Sequence, residues 1–128
     1  MPYHYQTHYT LDEARALLPQ VRQWLQRLQA AMERFNQYEK RLRSLAQGGA
    51  DLGGPTVNDW TRLMVEMTEL FAEFHNREIL IKDLGRGLVD FPSLKGDKEV
   101  FLCWEQDEED IHFWHDLDSG YAGREPLL

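Results

Sequence analysis

Cysteine is almost absent from this chain. Cys103 stands alone among 128 residues, which excludes an internal disulfide and any zinc site built from several cysteines. Long apolar runs are missing as well: no stretch approaches the roughly 20 residues needed to span a bilayer. The opening Met1-Pro2-Tyr3-His4-Tyr5 has neither a basic region nor an apolar core, so no export signal is expected. These absences together lead to the expectation of a reducing, cytoplasmic setting. Positive charge is scarce and unevenly spread. Fourteen Lys and Arg face 22 Asp and Glu, for a net charge of −8. Residues 1–43 carry seven basic and four acidic groups, a local +3, which leaves −11 on residues 44–128. Such an acidic surface repels phosphate backbones and no motif compensates, so neither nucleic acid nor membrane is an expected partner. The acidic half suits a cation or a basic partner, or simply maintains solubility.

What the chain does have is a core. Hydrophobic residues make up 42% of it and aromatics 12%, well above the range of disordered chains. At this length one domain, residues 1–128, is expected. Thr10-Leu11-Asp12-Glu13 reads as a capping box opening a helix over 10–47. A seven-residue repeat then runs without a slip. Ala14, Val21, Leu28, Phe35 and Leu42 form one row; Leu17, Trp24, Ala31, Tyr38 and Leu45 form the second. Leu18, Leu25 and Met32 widen the stripe beyond a bare coiled-coil seam. Pro19 lies inside the pattern and predicts a kink near Arg15–Leu18 or a fresh start after it.

The break at Gly48–Pro55 precedes a second helix over 56–77, with Trp60, Met67 and Phe74 in one row and Leu63 and Leu70 in another. A short connection implies an antiparallel hairpin. Arg27, Arg34 and Arg41 on the first helix face Glu66, Glu69 and Glu73 on the second, as flanking rows of opposite sign or, for the arginines, a stripe for an acidic partner. The first helix outruns the second. Its N-terminal apolar residues, Leu17 to Leu25, therefore need cover from the C-terminal sheet or from a second subunit.

Past Arg77 the heptad fails and short β-prone runs take over. Residues 78–82, Leu88–Phe91 (ended by Pro92), Glu99–Trp104 and Ile111–His115 read as strands, the last with Ile111 and Phe113 on one face. The fold class expected is α+β. A long antiparallel helical hairpin precedes a three- to four-stranded antiparallel meander sheet over 78–116, packed on the N-terminal part of the first helix, with a tail over 117–128. Tyr3–Tyr9 could add an edge strand.

Several motifs together resemble a known family. They are Tyr9-Thr10-Leu11-Asp12-Glu13-Ala14, Leu18-Pro19, Ile81-Lys82-Asp83, Gly87-Leu88-Val89-Asp90-Phe91-Pro92, Leu102-Cys103-Trp104, Trp114-His115 and Gly120-Tyr121-Ala122-Gly123-Arg124-Glu125-Pro126-Leu127. This set resembles the prokaryotic family known as domain of unknown function 2203. The resemblance covers nearly the whole chain and implies no particular activity. The family's turn before the last strand usually reads Gly-Glu, where this chain has Asp107-Glu108.

Chemistry is expected on the sheet. Asp90, Cys103, Glu108, His112, His115 and Arg124 are polar or reactive residues in a meander that packing alone would fill with β-branched ones. Asp90, Cys103 and His115 are metal-ligand candidates for a divalent ion; the plain alternative is an orienting histidine and a small core cysteine. His112 and His115, three apart on a strand, should point to opposite faces. Cys103 with His115 as base is a candidate nucleophile pair, although a cysteine between Leu102 and Trp104 suits burial better. Asp90, Glu108, His115 and Arg124 are ligand-binding candidates, and an Asp90–Arg124 ion pair would pin the tail. His75 and Glu78, one turn apart, could face a ligand or make an ordinary surface contact. Trp104 and Trp114 serve as core or as stacking surfaces, and His4 and His8 belong to a loose terminus. The leading expectation is a homodimeric, non-catalytic binding or scaffold module. The alternative is a metal- or cysteine-dependent enzyme using Asp90, Cys103 and His115.

Overall fold

The computed structural model describes residues 2–49 and 55–127. Helix α1 runs Leu11–Gln47 and helix α2 runs Pro55–His75. The strands are β1 Leu80–Asp83, β2 Leu88–Lys95, β3 Lys98–Glu105, β4 Phe113–Asp116 and β5 Glu125–Pro126. They form one antiparallel sheet in the order β1-β2-β3-β4-β5. The chain is thus an α+β fold, with a fifth strand taken from what the sequence reads as tail. Within the expected Gly48–Pro55 break, residues 50–54 lie outside the described residues.

Helix α1 begins at the capping box. The Glu13 amide donates to the Thr10 hydroxyl at 3.1 Å, and the Thr10 amide donates to the Glu13 carboxylate at 2.8 Å. The helix passes through Pro19 as one element, with no fresh start. Trp24 meets Phe74 edge-on and Phe35 stacks on Trp60, so the helices run antiparallel. Of the charge rows, Arg27 reaches Glu66 at 3.8 Å, an exposed pair of small energetic weight.

Helix α2 stops earlier than its heptad suggests, and the reason is local. The Ile79 amide donates to the Phe74 carbonyl and the Glu78 amide to the His75 carbonyl, the two bonds of a Schellman stop. That stop requires a left-handed residue, and Glu78 supplies it with φ 56°. Strand β1 therefore begins at Leu80 rather than at 78.

Strand β2 continues through Pro92, where the sequence reading ended it. The carbonyl of Pro92 accepts the Tyr9 amide, so this residue's backbone faces the free edge of β2. A missing N–H there costs no ladder bond. Ile111 and Phe113 do not share a face. Strand β4 starts only at Phe113, which pairs with Cys103, while Ile111 precedes the ladder and packs against the helices.

One sheet face receives the hairpin. Ile81, Val89, Phe91, Leu102, Trp104 and Trp114 meet Ala14, Leu18, Val21, Leu25, Leu28 and Ala31 of α1, together with Leu63, Met67, Leu70 and Phe74 of α2. The surplus apolar stripe is therefore roofed by the chain's own sheet. Polar side chains of α1 bolt the layers together. Arg22 donates to the carbonyls of Gln106, Glu108 and Glu109, and Gln29 donates to those of Leu84 and the Gln106 side chain. Gly87 is needed at the β1–β2 turn: its φ is 67°, and a Cβ there would collide with the Gln106 side chain.

Candidate functional site

The opposite sheet face carries the chemistry. Alternation along β2 and β3 puts Val89, Phe91, Leu102 and Trp104 toward the helices, so Asp90, Phe101 and Cys103 must point the other way. Asp90 and Cys103 are direct cross-strand partners, and His115 sits opposite Phe101 one row along. All three are buried, with exposures of 1%, 0% and 2%. One ligand atom from each lies within 4.8 Å of the other two.

The imidazole fixes the electrostatics. His115 Nδ1 stands 2.6 Å from the carbonyl of Asp116, which can only accept, so this nitrogen carries a proton. Nε2 then faces both oxygens of Asp90, each at 3.0 Å. A nitrogen lone pair and a carboxylate held this close need a cation between them, either a proton or a metal ion. Burial pushes the Asp90 carboxyl above its usual range, while His115, Cys103 and the charge of Lys82 pull it back. Burial, with Asp90 alongside, pushes the Cys103 thiol up to about 12, and Arg124 acts in the opposite direction. A thiol so placed is protonated at neutral pH and does not act as a free nucleophile.

Arg124 does not pair with Asp90. Its guanidinium reaches the Glu108 carboxylate at 3.1 Å and lies over the rings of Phe113 and Tyr121, and its charge favours the thiolate of Cys103. The tail is pinned as expected, but to the β3–β4 turn. Glu108 is accordingly a brace: its carboxylate also accepts the Glu105 amide, and its carbonyl accepts the Trp104 indole N–H. His112 is exposed, precedes β4 and does not join the group. His75 is exposed, and Glu78 binds the N-terminal arm instead of a ligand.

That arm is what sequence reasoning missed. The sequence suggests a loose terminus, yet four consecutive amides are held by two carboxylates. Those of His4 and Tyr5 donate to Glu99, and those of Gln6 and Thr7 donate to Glu78. His8 adds a 2.7 Å contact to Glu99, and His4 another at 3.3 Å. Burial pushes the Glu99 carboxyl up, but the His8, His4 and Tyr5 donors outweigh it and bring it down to about 2. The arm lays Tyr5 edge-on against Phe101, beside His115. No local signal marks it, because His4 and His8 stand 95 and 91 residues from Glu99 in the chain.

A helical hairpin laid on one face of a five-stranded meander, with a buried carboxylate–imidazole–thiol group on the other, defines the class of protein. Residues 7–127 match the family described as "Uncharacterized conserved protein (DUF2203)", and the chain belongs to that family. No curated protein and no solved structure matches it. Among the described residues no helix is long and apolar enough to cross a membrane.

Proposed function

We propose that the protein is a non-catalytic binding module that holds a divalent transition-metal ion, zinc fitting best, between Asp90, Cys103 and His115. The observation that carries this reading is the Nε2 of His115 aimed at the Asp90 carboxylate, with a thiol beside both. Bond lengths of about 2.0–2.3 Å place the ligand atoms of a tetrahedral zinc site roughly 3.3–3.7 Å apart; His115 and Asp90 stand 3.0 Å apart and Cys103 lies within 4.8 Å of both, so small side-chain shifts would bring the three to that spacing. The Nδ1–H bond to a backbone carbonyl is the outer contact that orients metal-bound histidines. Charge also balances. A doubly charged ion replaces one proton shared by Asp90 and His115 and one from Cys103, leaving the pocket neutral. With both oxygens of Asp90 turned to the site, Asp90, Cys103 and His115 offer the four donor atoms of a closed shell, and their full burial favours a structural ion over a catalytic one, which keeps a position open to water or substrate.

Titration of zinc against a colorimetric chelator tests the reading. One ion per chain is expected, lost in Cys103→Ser and in His115→Gln variants that keep their circular dichroism. A folded chain with no stoichiometric ion would overturn it.

A second reading, a homodimer, draws on a different observation. Met64 and Phe71, seven residues apart and so on one side of α2, are each 38% exposed, and Val65, next round the helix, is 53% exposed. Two copies joined along this side would bury them. Sedimentation of the wild type as a dimer and of Phe71→Glu as a monomer is the expected result; a dilution-independent wild-type monomer contradicts it.

A further inference from the structure

Helix α1 starts too late to cover the end of the sheet, and the gap is a pocket. Its volume is about 370 Å³, within the range that small-molecule sites occupy. Leu11, Val100, Leu102, Trp114 and Leu127 give it an apolar lining. The metal-candidate group lies on the opposite face of the sheet, so the two sites are independent.

Charge at the rim is unusual for this molecule. The chain carries 22 acidic residues against 14 basic ones, yet no Asp or Glu lines the pocket and Lys95 is its one Lys or Arg. The Lys95 ammonium lies 3.8 Å from the centre of the Trp114 ring. Among the described residues it has no carboxylate partner, whereas its neighbour Lys98 is paired with Asp116 at 2.6 Å. His8 stands on the same rim, its Nε2 turned to Glu99. Apolar walls with a single uncompensated cation at the mouth favour a ligand of matching polarity. The buried part must be hydrocarbon or ring, and the head must be anionic.

We infer that this pocket binds a small amphipathic carboxylate, its apolar body against Leu102 and Trp114 and its head at Lys95. The probes are decanoate, decanol and decyltrimethylammonium, titrated separately into the full chain and followed by tryptophan fluorescence and methyl NMR. Decanoate should saturate one site per chain and move the methyls of Leu11, Val100, Leu102 and Leu127. Decanol should bind roughly five-fold more weakly, the usual scale of one exposed charge contact, and the cation more weakly still. Lys95→Gln should bring decanoate down to the level of decanol, while Lys98→Gln leaves it unchanged. Equal binding of decanoate and decanol, shifts confined to Met64 and the α2 side, or an unaffected Lys95→Gln would each overturn the inference.

Discussion

Asp90 and His115 occupy positions where a β-branched residue would pack more simply, and each accounts for the other. Neither is tolerable alone at 1% and 2% exposure, because an unpartnered buried charge is strongly disfavoured. Asp90→Ala is therefore expected to cost about 3–5 kcal/mol in urea denaturation, with Asp90→Asn, which retains an acceptor and the shape, costing less. A change near zero for the alanine variant would mean that the pair carries no structural weight. Cys103 gives a second outcome at this scale. With its thiol pushed up to about 12 and no exposed surface, it should resist an aromatic disulfide reagent until the chain is unfolded. Reaction of the native protein at the pace of a free thiol would contradict the burial. These three residues were legible in the sequence because they are chemically odd within an apolar meander. The partner of Arg124 was not, since a tail and a turn sixteen residues apart meet only through the register of β3, β4 and β5.

Elements show where local rules gave way to tertiary ones. The capping box and the heptads of α1 were readable because they are short-range patterns. Pro92 and Phe113 misled because the sequence does not reveal which edge of a strand is free or where a ladder begins. Glu78 combines both levels: it occupies a left-handed position that glycine would fill more easily, and its carboxylate holds the amides of Gln6 and Thr7. Glu78→Gly should relieve backbone strain worth about 1 kcal/mol yet speed hydrogen exchange at residues 6 and 7. Unchanged exchange there would rule out the latch. Glu99 makes the arm sensitive to acid. Its carboxyl titrates near 2 in the folded chain against an ordinary 4.5, so the folded state binds the proton more weakly than the unfolded one. The contribution is complete above about pH 4.5 and is lost as the pH falls toward 2. Glu99→Gln should flatten the stability profile over that window and free residues 3–8 to proteolysis; a profile as steep as that of the wild type would refute the assignment.

At the scale of the molecule, the hairpin is anchored at one end. The sheet covers α1 from Ala14 to Ala31, whereas Phe35, Tyr38, Leu42 and Leu45 are only half-buried. Leu25→Ala should accordingly cost about 2–5 kcal/mol and Leu42→Ala clearly less, as read from denaturant midpoints. Equal costs would mean that the far end of the hairpin is covered by something else, such as a second copy. The sequence implied this asymmetry through the unequal helix lengths and placed the sheet on the N-terminal part of α1, as the structure has it; what it could not say is that the polar group would be turned away from the helices. That polar group is the centre of the account. X-ray absorption at the zinc edge of the loaded protein tests it most directly. One sulfur at about 2.3 Å with nitrogen and oxygen neighbours at about 2.0–2.2 Å is the predicted shell, its sulfur vanishing in Cys103→Ser; a shell of nitrogen and oxygen alone in the wild type would contradict it.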